Sequence, residues 1–351
     1  MTNMNKTTHL FGGMFLGLMC ILFTACSVLD EDLSACKQNF TVHYQVHLKT
    51  TLTTQIQTEL STRFNDPEEA ELSELLEDSL KTIFREFAHD VDLSFYIDGL
   101  RAFRDQHIMD DKQAVYELEL PADNYRHLAL ANFGLEPTVE RANGEKMNTS
   151  HILQLTDDQL SSHRVGLFSA RQDMNILGNT DQTFDVSLYM INSASILILR
   201  TDNTVVDYKD IRVTSTDFAD GFYINDSIFT YNSERESEDI RVTTPPVERE
   251  VFYAITFPSC DTAEEAQQHF ATRAGQTGAQ DEDRIWRKFV YVTMPDGSIT
   301  RTVINVRQPL NAGQLFVIYA YLNDDGTITS PNVEVGTSVT LNWQDGLNIG
   351  N

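Results

Sequence analysis

The chain has 351 residues, of which 41% are hydrophobic and 10% are aromatic, so it can build folded cores and is not disordered. Its 52 acidic and 26 basic residues give a net charge of −26 at pH 7. This charge excludes nucleic acid as a partner, because neutralising a phosphate backbone requires clustered lysine and arginine.

Residues 1–25 have the pattern of an export signal. Lys6 and the terminal amine precede a continuous apolar run over residues 10–23. The run is too short for a permanent transmembrane helix, which needs about 20 residues. Small residues then lead into Cys26, as at the cleavage site of a bacterial lipoprotein. We therefore predict a signal peptide over residues 1–25 and a membrane anchor of fatty acids, such as palmitate, on Cys26; the alternative is an ordinary secretory signal.

Residues 26–38 are predicted to form a lipidated tether ahead of the folded body. Acidic side chains at positions 30–32 either resemble a signal that sends lipoproteins to the outer leaflet or simply keep the tether hydrated. Beyond the signal and the lipid site, the body retains two cysteines, Cys36 and Cys260. An oxidising envelope permits a disulfide between them. The sequence does not give their Cα separation, so a bridge and two separate thiols both stay open.

The first part of the body begins with a strand and a helix. Residues 40–48 alternate apolar and polar side chains and predict a half-buried strand. Asp66, Pro67 and two following glutamates are typical of a helix start. Apolar residues then recur at helical spacing, which predicts one amphipathic helix over residues 66–89. Its apolar stripe can pack on the chain's own sheet or seat a partner helix.

Short strands and a linker follow this helix. Three strands are predicted at residues 91–97, 114–120 and 125–133, and a small helix is predicted to begin at Thr156. The polar, glycine-containing stretch 178–182 is typical of a linker.

The second half of the chain is more uniformly β. One helix is predicted there, over residues 262–273. Strands are predicted at residues 183–191, 195–200, 210–215, 227–231, 251–257, 288–293, 300–306, 315–321 and 338–343.

Such short strands, separated by turn signals, predict antiparallel sandwich packing. We therefore expect a mainly β protein with two tandem antiparallel β-sandwich domains and a few inserted helices. The N-terminal domain covers residues 39–178 and the C-terminal domain covers residues 183–351.

Catalytic motifs are missing from the sequence. It has no nucleophile elbow, no zinc-protease histidine pair, no phosphate-binding loop and no dinucleotide fingerprint. His43 and His47 share the polar face of the first predicted strand, but a closed zinc site needs four ligands. We expect no enzyme activity, no metal and no cofactor; the opposing hypothesis of a secreted hydrolase lacks a recognisable site.

Two tryptophans are the side chains best suited to stack on a glycan. Trp343 lies in an alternating terminal strand and is expected in a core. Trp286 stands among basic residues, where it can either stack on a ligand or cover the edge of the sandwich. A ligand role for Trp286 would favour a surface glycan-binding lipoprotein.

Three stretches resemble one bacterial family, the fimbrial anchor subunits (fimbrillin-associated anchor lipoproteins) of Bacteroidetes. The first runs from Cys26 through an acidic segment into Leu33-Ser34-x-Cys36, just before the first strand. Residues 120–125, Leu-Pro-Ala-Asp-Asn-Tyr, are similar to a turn-and-strand motif of that family. Residues 185–190, Asp-Val-Ser-Leu-Tyr-Met, resemble the opening of its second domain.

This resemblance implies two transthyretin-like sandwiches held at the outer membrane, on the cell surface, by the lipid. It implies a protein at the base of a fimbrium, which attaches the fimbrial stalk to the cell and limits its length. Fimbrillin stalk subunits would be its partners, bound by strand complementation. The alternative is a glycan-binding lipoprotein with similar anchoring.

Overall fold

The computed structural model describes most of the body of the chain. The described residues are 38–49, 67–83, 88–109, 115–142, 144–154, 160–178, 180–201, 207–232, 236–242, 249–270, 283–331, 333–335 and 339–341. The signal peptide lies outside them, as do Cys26, Cys36, Trp343 and the helix start predicted at Thr156.

Strands dominate the described residues, and two α-helices accompany them. The helices are α1, Pro67–Ile83, and α2, Ala263–Phe270. The strands are β1 Asn39–Lys49, β2 Asp90–Ile97, β3 Leu100–Ile108, β4 Val115–Pro121, β5 Asn124–Ala131, β6 Val139–Arg141, β7 His151–Gln154, β8 Leu160–Ser161, β9 Phe168–Asn175, β10 Gln182–Met190, β11 Ser193–Thr201, β12 Asp210–Thr216, β13 Gly221–Tyr223, β14 Ile228–Thr230, β15 Ser237–Glu238, β16 Ile240–Val242, β17 Arg249–Thr256, β18 Trp286–Thr293, β19 Ile299–Val306, β20 Leu315–Leu322, β21 Ile328–Thr329, β22 Glu334–Val335 and β23 Val339–Leu341.

The first sheet folds over on itself as a sandwich. Its strand order is β3-β2-β5-β9-β10-β1-β4, yet its two end strands meet, because His107 of β3 stacks on Tyr116 of β4. Tyr44 of β1 likewise contacts His127 of β5 across two intervening strands. The half β3-β2-β5-β9 therefore faces the half β10-β1-β4, and the apolar core lies between them.

A second sandwich is formed by two further sheets. The second sheet, β16-β17-β11-β20-β21, shares an apolar cluster with the third, β22-β19-β18-β12-β15-β8. Leu197 and Leu199 of β11 belong to this cluster, whereas Ile196 and Ile198 belong to the cluster of the first sheet. Strand β11 is thus buried on both faces, which explains the continuous apolar run over its residues 196–199.

A fourth, small sheet covers the outer side of the first sandwich. Its order is β14-β13-β7-β6. Ile152 of β7 and Phe222 of β13 share a cluster with Leu128 and Leu130, which point away from the main core of the first sheet.

Helix α1 begins at Pro67, as the sequence predicts. Leu76 and Leu80 are fully buried in the cluster of the first sheet, so the apolar stripe of α1 packs on the chain's own core. Ala88 and His89 are not helical, and the helix therefore ends earlier than predicted. Among the described residues, no helix combines the length and the apolar character needed to cross a membrane.

The predicted mainly β architecture, with sheets packed face to face, is confirmed. One predicted strand, residues 183–191, is present as β10 but lies in the first sandwich, where it pairs in parallel with β1 over Gln182–Tyr189. Of the predicted linker, Gly178, Thr180 and Asp181 lie between β9 and β10 of the first sheet, and Gln182 is the first residue of β10. A polar stretch with glycine suits a turn as well as a linker, so composition alone does not distinguish the two.

Two further differences concern the number of strands in the first sheet and the direction of pairing. Strands β3 and β9 were not predicted, although both are full members of the first sheet. Three strand pairs are parallel, namely β1 with β10, β11 with β20, and β15 with β8, and the other ladders are antiparallel within the described residues.

Candidate functional site: the β3/β4 seam

The end strands of the first sheet, β3 and β4, lie together along one side of the first sandwich. Each has one neighbour in the sheet, β2 for β3 and β1 for β4. On the other side of these strands, one bridge joins Leu100 to Lys146 within the described residues, and Arg101 and Val115 have further contacts. We call this place, residues 100–108 and 115–121, the β3/β4 seam.

A tight turn places β3 at this edge. Asp98 and Gly99 both have positive φ, 50° and 78°, and Ile97 pairs with Leu100. Positive φ at both central residues is the geometry of a type I′ hairpin, in which Asp-Gly is a preferred pair. This turn directs β3 back along β2. The Asp-Gly pair between Ile97 and Leu100 is the signal from which the sequence analysis could have found β3.

Exposed apolar side chains concentrate at the ends of the seam. Leu100 is 60% exposed, Ile108 is 70% exposed and Val115 is 40% exposed. They are three of the seven large hydrophobic side chains exposed among the described residues. End strands of a sheet with exposed apolar side chains are templates for the addition of another strand.

Polar and aromatic contacts join β3 to β4 near Ile108 and Val115. His107 stacks on Tyr116 with ring centroids 4.3 Å apart, and Tyr116 donates a hydrogen bond to Asp105. A strand inserted between β3 and β4 therefore has to displace the contacts of Tyr116.

The opposite side of the sandwich, between β9 and β10, is less open. Two residue pairs, Tyr189 with Ser169 and Met190 with Phe168, join these strands at one end. Arg171 of β9 also donates a hydrogen bond of 2.6 Å to the carbonyl oxygen of Asn225, near the small sheet. No further pairs join the described residues of β9 and β10, so the space between these strands is open at one end and closed at the other by the two pairs.

A buried polar pair lies behind the seam, in the core of the sandwich. His127 contacts the Tyr44 hydroxyl through Nε2 at 2.6 Å and the Ser94 carbonyl through Nδ1 at 3.1 Å. Burial lowers the pKa of His127 to about 3, so its ring is neutral at physiological pH. The neutral ring therefore donates from Nδ1 to Ser94 and accepts from the Tyr44 hydroxyl at Nε2. Burial also raises the pKa of Tyr44, which keeps that hydroxyl protonated.

The predicted cysteine sites are only partly described. Cys26 and Cys36 lie outside the described residues, so the lipid anchor and the disulfide stay predictions. Cys260 is fully buried beside α2 in the second sandwich, and burial raises the pKa of its thiol to about 12. A thiol in this environment is not a reactive nucleophile.

Trp286 is a core residue rather than a surface platform for a ligand. It is fully buried, it packs against Phe218 and Phe316, and its indole N–H donates to the Gln308 carbonyl at 2.9 Å. Two basic neighbours of Trp286 are also buried. Arg287 pairs with Asp217 and Lys288 pairs with Asp239, so the basic sequence around Trp286 does not indicate a surface position.

His43 and His47 lie on the partly exposed face of β1, as predicted. Each faces one carboxylate, Glu117 for His43 and Asp185 for His47. Within the described residues, no group of three or more histidine, cysteine, aspartate or glutamate side chains is arranged to hold a metal ion.

No protein-family model matches the chain, and no curated protein matches it. Solved structures resemble it at low identity. A candidate polysaccharide-binding protein of Bacteroides thetaiotaomicron has a TM-score of 0.48 at 10% identity, over 85% of this chain and 98% of that one. A candidate adhesin of the same organism has a TM-score of 0.48 at 12% identity, over 87% and 99%. The fimbrial anchor protein Mfa2 of Porphyromonas gingivalis has a TM-score of 0.45 at 9% identity, over 85% and 97%. At these values the similarities carry no argument about function.

Proposed function

We propose that this chain is a lipid-anchored subunit of a cell-surface fimbrium, which attaches a fimbrial stalk to the outer membrane and limits its length. The observation that carries the proposal is the β3/β4 seam, where the two end strands of the first sheet meet and exposed apolar side chains lie at the strand ends. The lipoprotein-like sequence around Cys26 and the motifs shared with fimbrial anchor subunits support it.

The seam suits an extended segment from a fimbrillin subunit. Backbone hydrogen bonds along β3 or β4 would supply affinity that does not depend on the partner's sequence. Alternate side chains of the added strand would meet Ile108 and Val115, which are 70% and 40% exposed in the chain alone. Specificity would come from the match between these positions and the partner's apolar residues.

The same arrangement explains a limit on fimbrial length. A strand edge accepts one partner strand, because its backbone groups are used once that strand is paired. If lipid holds the start of the chain in the membrane, growth can continue only from the partner. The polymer then ends at this subunit. Strand addition is a non-covalent step and needs no catalytic residue, in agreement with the missing catalytic motifs.

The glycan-binding alternative rested on Trp286. That side chain is fully buried in the second sandwich and cannot stack on a ligand at the surface. We therefore favour the fimbrial subunit.

The proposal is tested by placing charge on the seam. The double variant Ile108→Lys, Val115→Lys is expressed with a tag in the native cells and recovered in mild detergent. We expect the wild-type protein to bring down fimbrial subunits as a high-mass ladder that collapses on boiling. The variant should recover roughly tenfold less, because an added strand would bury unpaired lysines.

Ile228→Lys is the matched control. Ile228 is 56% exposed on β14, away from the seam, and substitutions at exposed positions change stability by about 0.5 kcal/mol or less. Recovery of the tagged protein without fimbrial subunits, or equal recovery with both variants, would overturn the proposed role of the seam.

A further inference from the structure

A buried lysine lies in the core of the second sandwich. Lys288 belongs to β18, whose side chains alternate, and it points into the core with Trp286 and Val290. Lys288 and Ser215 are fully buried, and the side chain of Asp239 is fully buried as well. A lysine inside an apolar core is rare because burying a charge is costly.

Lys288, Asp239 and Ser215 form a closed triangle of contacts. The Lys288 amine touches Asp239 Oδ2 and donates to Ser215 Oγ at 2.7 Å. Ser215 in turn donates to the other carboxylate oxygen, Asp239 Oδ1, at 2.6 Å. The serine is therefore in contact with both the amine and the carboxylate.

Backbone pairing fixes this triangle. Ser215 of β12 is the direct partner of Lys288 in the ladder between β12 and β18. Asp239 follows β15, on the other side of β12, and its backbone N–H donates to the Val213 carbonyl at 2.9 Å. The amine and the carboxylate thus approach each other across the middle strand.

The triangle supplies too few hydrogen-bond acceptors for a charged lysine. An ammonium group has three N–H donors, and the described residues supply two acceptors, Asp239 and Ser215. A buried ion pair gains from its mutual attraction only when the remaining donors and acceptors are also hydrogen-bonded. An amide made from the two groups would carry no charge and would have one N–H donor instead of three.

We propose that Lys288 and Asp239 condense to form an intramolecular isopeptide bond. A proton first passes from the ammonium to the carboxylate, which gives a neutral amine and a carboxylic acid. The nitrogen then attacks Cγ of Asp239 and the new N–Cγ bond forms. The Cγ–Oδ1 bond breaks, and Oδ1 leaves as water with two protons, one from the acid and one from the nitrogen.

Ser215 is the positioning residue for this step. It can accept the proton that the nitrogen loses and pass its own hydroxyl proton to Oδ1, since it is hydrogen-bonded to both. No oxidation or reduction takes place, and no co-reactant is needed. Burial also lowers the pKa of Lys288, although Asp239 opposes this, so the neutral amine is easier to reach than in water.

The bond would join β18 to the segment that follows β15, across β12. These residues are 49 positions apart in the sequence, so the link closes a long loop of the second sandwich. The middle strand, β12, would be spanned by the link and would keep its hydrogen bonds to both neighbours. This inference concerns the second sandwich and stands whether or not the seam of the first binds a fimbrial subunit.

Tryptic digestion of the full-length protein purified from its native cells tests the proposal. The bond would yield a branched peptide of residues 236–241 and 288–301, lighter than the sum of the two by one water molecule. It would also prevent cleavage after Lys288, since that amine is no longer free. Fragmentation of the branched peptide should locate the link between Asp239 and Lys288.

Ser215→Ala is the companion variant. We expect it to fold, because alanine fits the space of serine, and to show at least severalfold less branched peptide at equal age. If the wild-type protein yields only the separate peptides, including one that begins at Phe289, the groups are an ordinary ion pair and the proposal is wrong.

Discussion

At the scale of single residues, burial decides the chemistry of the polar side chains in the first sandwich. His127 stacks on Phe95 with ring centroids 4.3 Å apart and meets Tyr44 edge-on. Each ring nitrogen has a partner, so the neutral histidine costs little to bury. The protonated ring would lose the hydrogen bond that it accepts at Nε2.

The stability of the protein should therefore decrease as the pH is lowered, and part of this decrease should depend on His127. Its pKa is about 3 in the folded chain and about 6.5 in the unfolded chain. Between these values the unfolded state binds more protons, so stability decreases as the pH is lowered. We expect this residue alone to contribute about 1.4 kcal/mol per pH unit within that window.

Urea denaturation of the wild type and of His127→Gln at pH 6 and pH 4 measures this contribution. Glutamine keeps polar atoms at the site but does not titrate, so the variant should lose less stability over the interval. His151→Gln, at a partly exposed position on β7, is the control and should keep the wild-type dependence. Identical pH dependence in all three proteins would show that His127 titrates normally.

At the scale of elements, helix α1 and the edge strand β4 follow from the local sequence, while the edge strand β3 does not. Helix α1 begins where Asp66 and Pro67 predict it, because capping and dihedral preferences act within a few residues. Strand β3 has polar residues at inward positions, such as Asp105 and His107, and so lacks the apolar alternation that identifies a core strand. Those polar residues are the ones that contact Tyr116 across the β3/β4 seam.

The packing of α1 can be tested with neighbouring substitutions. Leu80 is fully buried in the first core, and Leu80→Ala should reduce the free energy of unfolding by about 2–5 kcal/mol through lost burial and a cavity. Lys81→Ala, at the next and exposed position, should change it by about 0.5 kcal/mol or less. Urea denaturation measures both. Equal effects would mean that α1 does not pack on the sandwich as described.

At the scale of the whole molecule, the two sandwiches share strand β11, whose two faces line two separate cores. Strand β11 contributes Ile196 to the first core and Leu197 to the second. A substitution that disturbs β11 should therefore affect both sandwiches. In the described residues, the two sandwiches are packed against each other through this strand.

The predicted lipid anchor also concerns the whole molecule. If the Cys26 thiol accepts the lipid, as we propose, Cys26→Ala should abolish lipid attachment and release the protein from the membrane fraction. Labelled fatty acid and cell fractionation measure this in the native cells. Cys36→Ala is the matched control and should keep the label. Label retained in Cys26→Ala would place the lipid on another residue.

The sequence by itself determined the features that depend on neighbouring residues. The period of two in β1, the capping signals of α1 and the pattern around Cys26 are all local, and a mainly β sandwich follows from the number of such strands. The expected anchor role also came from short motifs, and it remains a proposal.

Only the tertiary structure decided which strands pair and what each face of a strand meets. Asp239 and Lys288 are 49 residues apart, and Tyr44 and His127 are 83 apart, yet each pair is in contact. The same long-range pairing put β10 in the first sandwich and buried Trp286 in the second. An alternating strand looks the same in any sheet, so its partner is chosen by the packing of the whole chain rather than by its own residues.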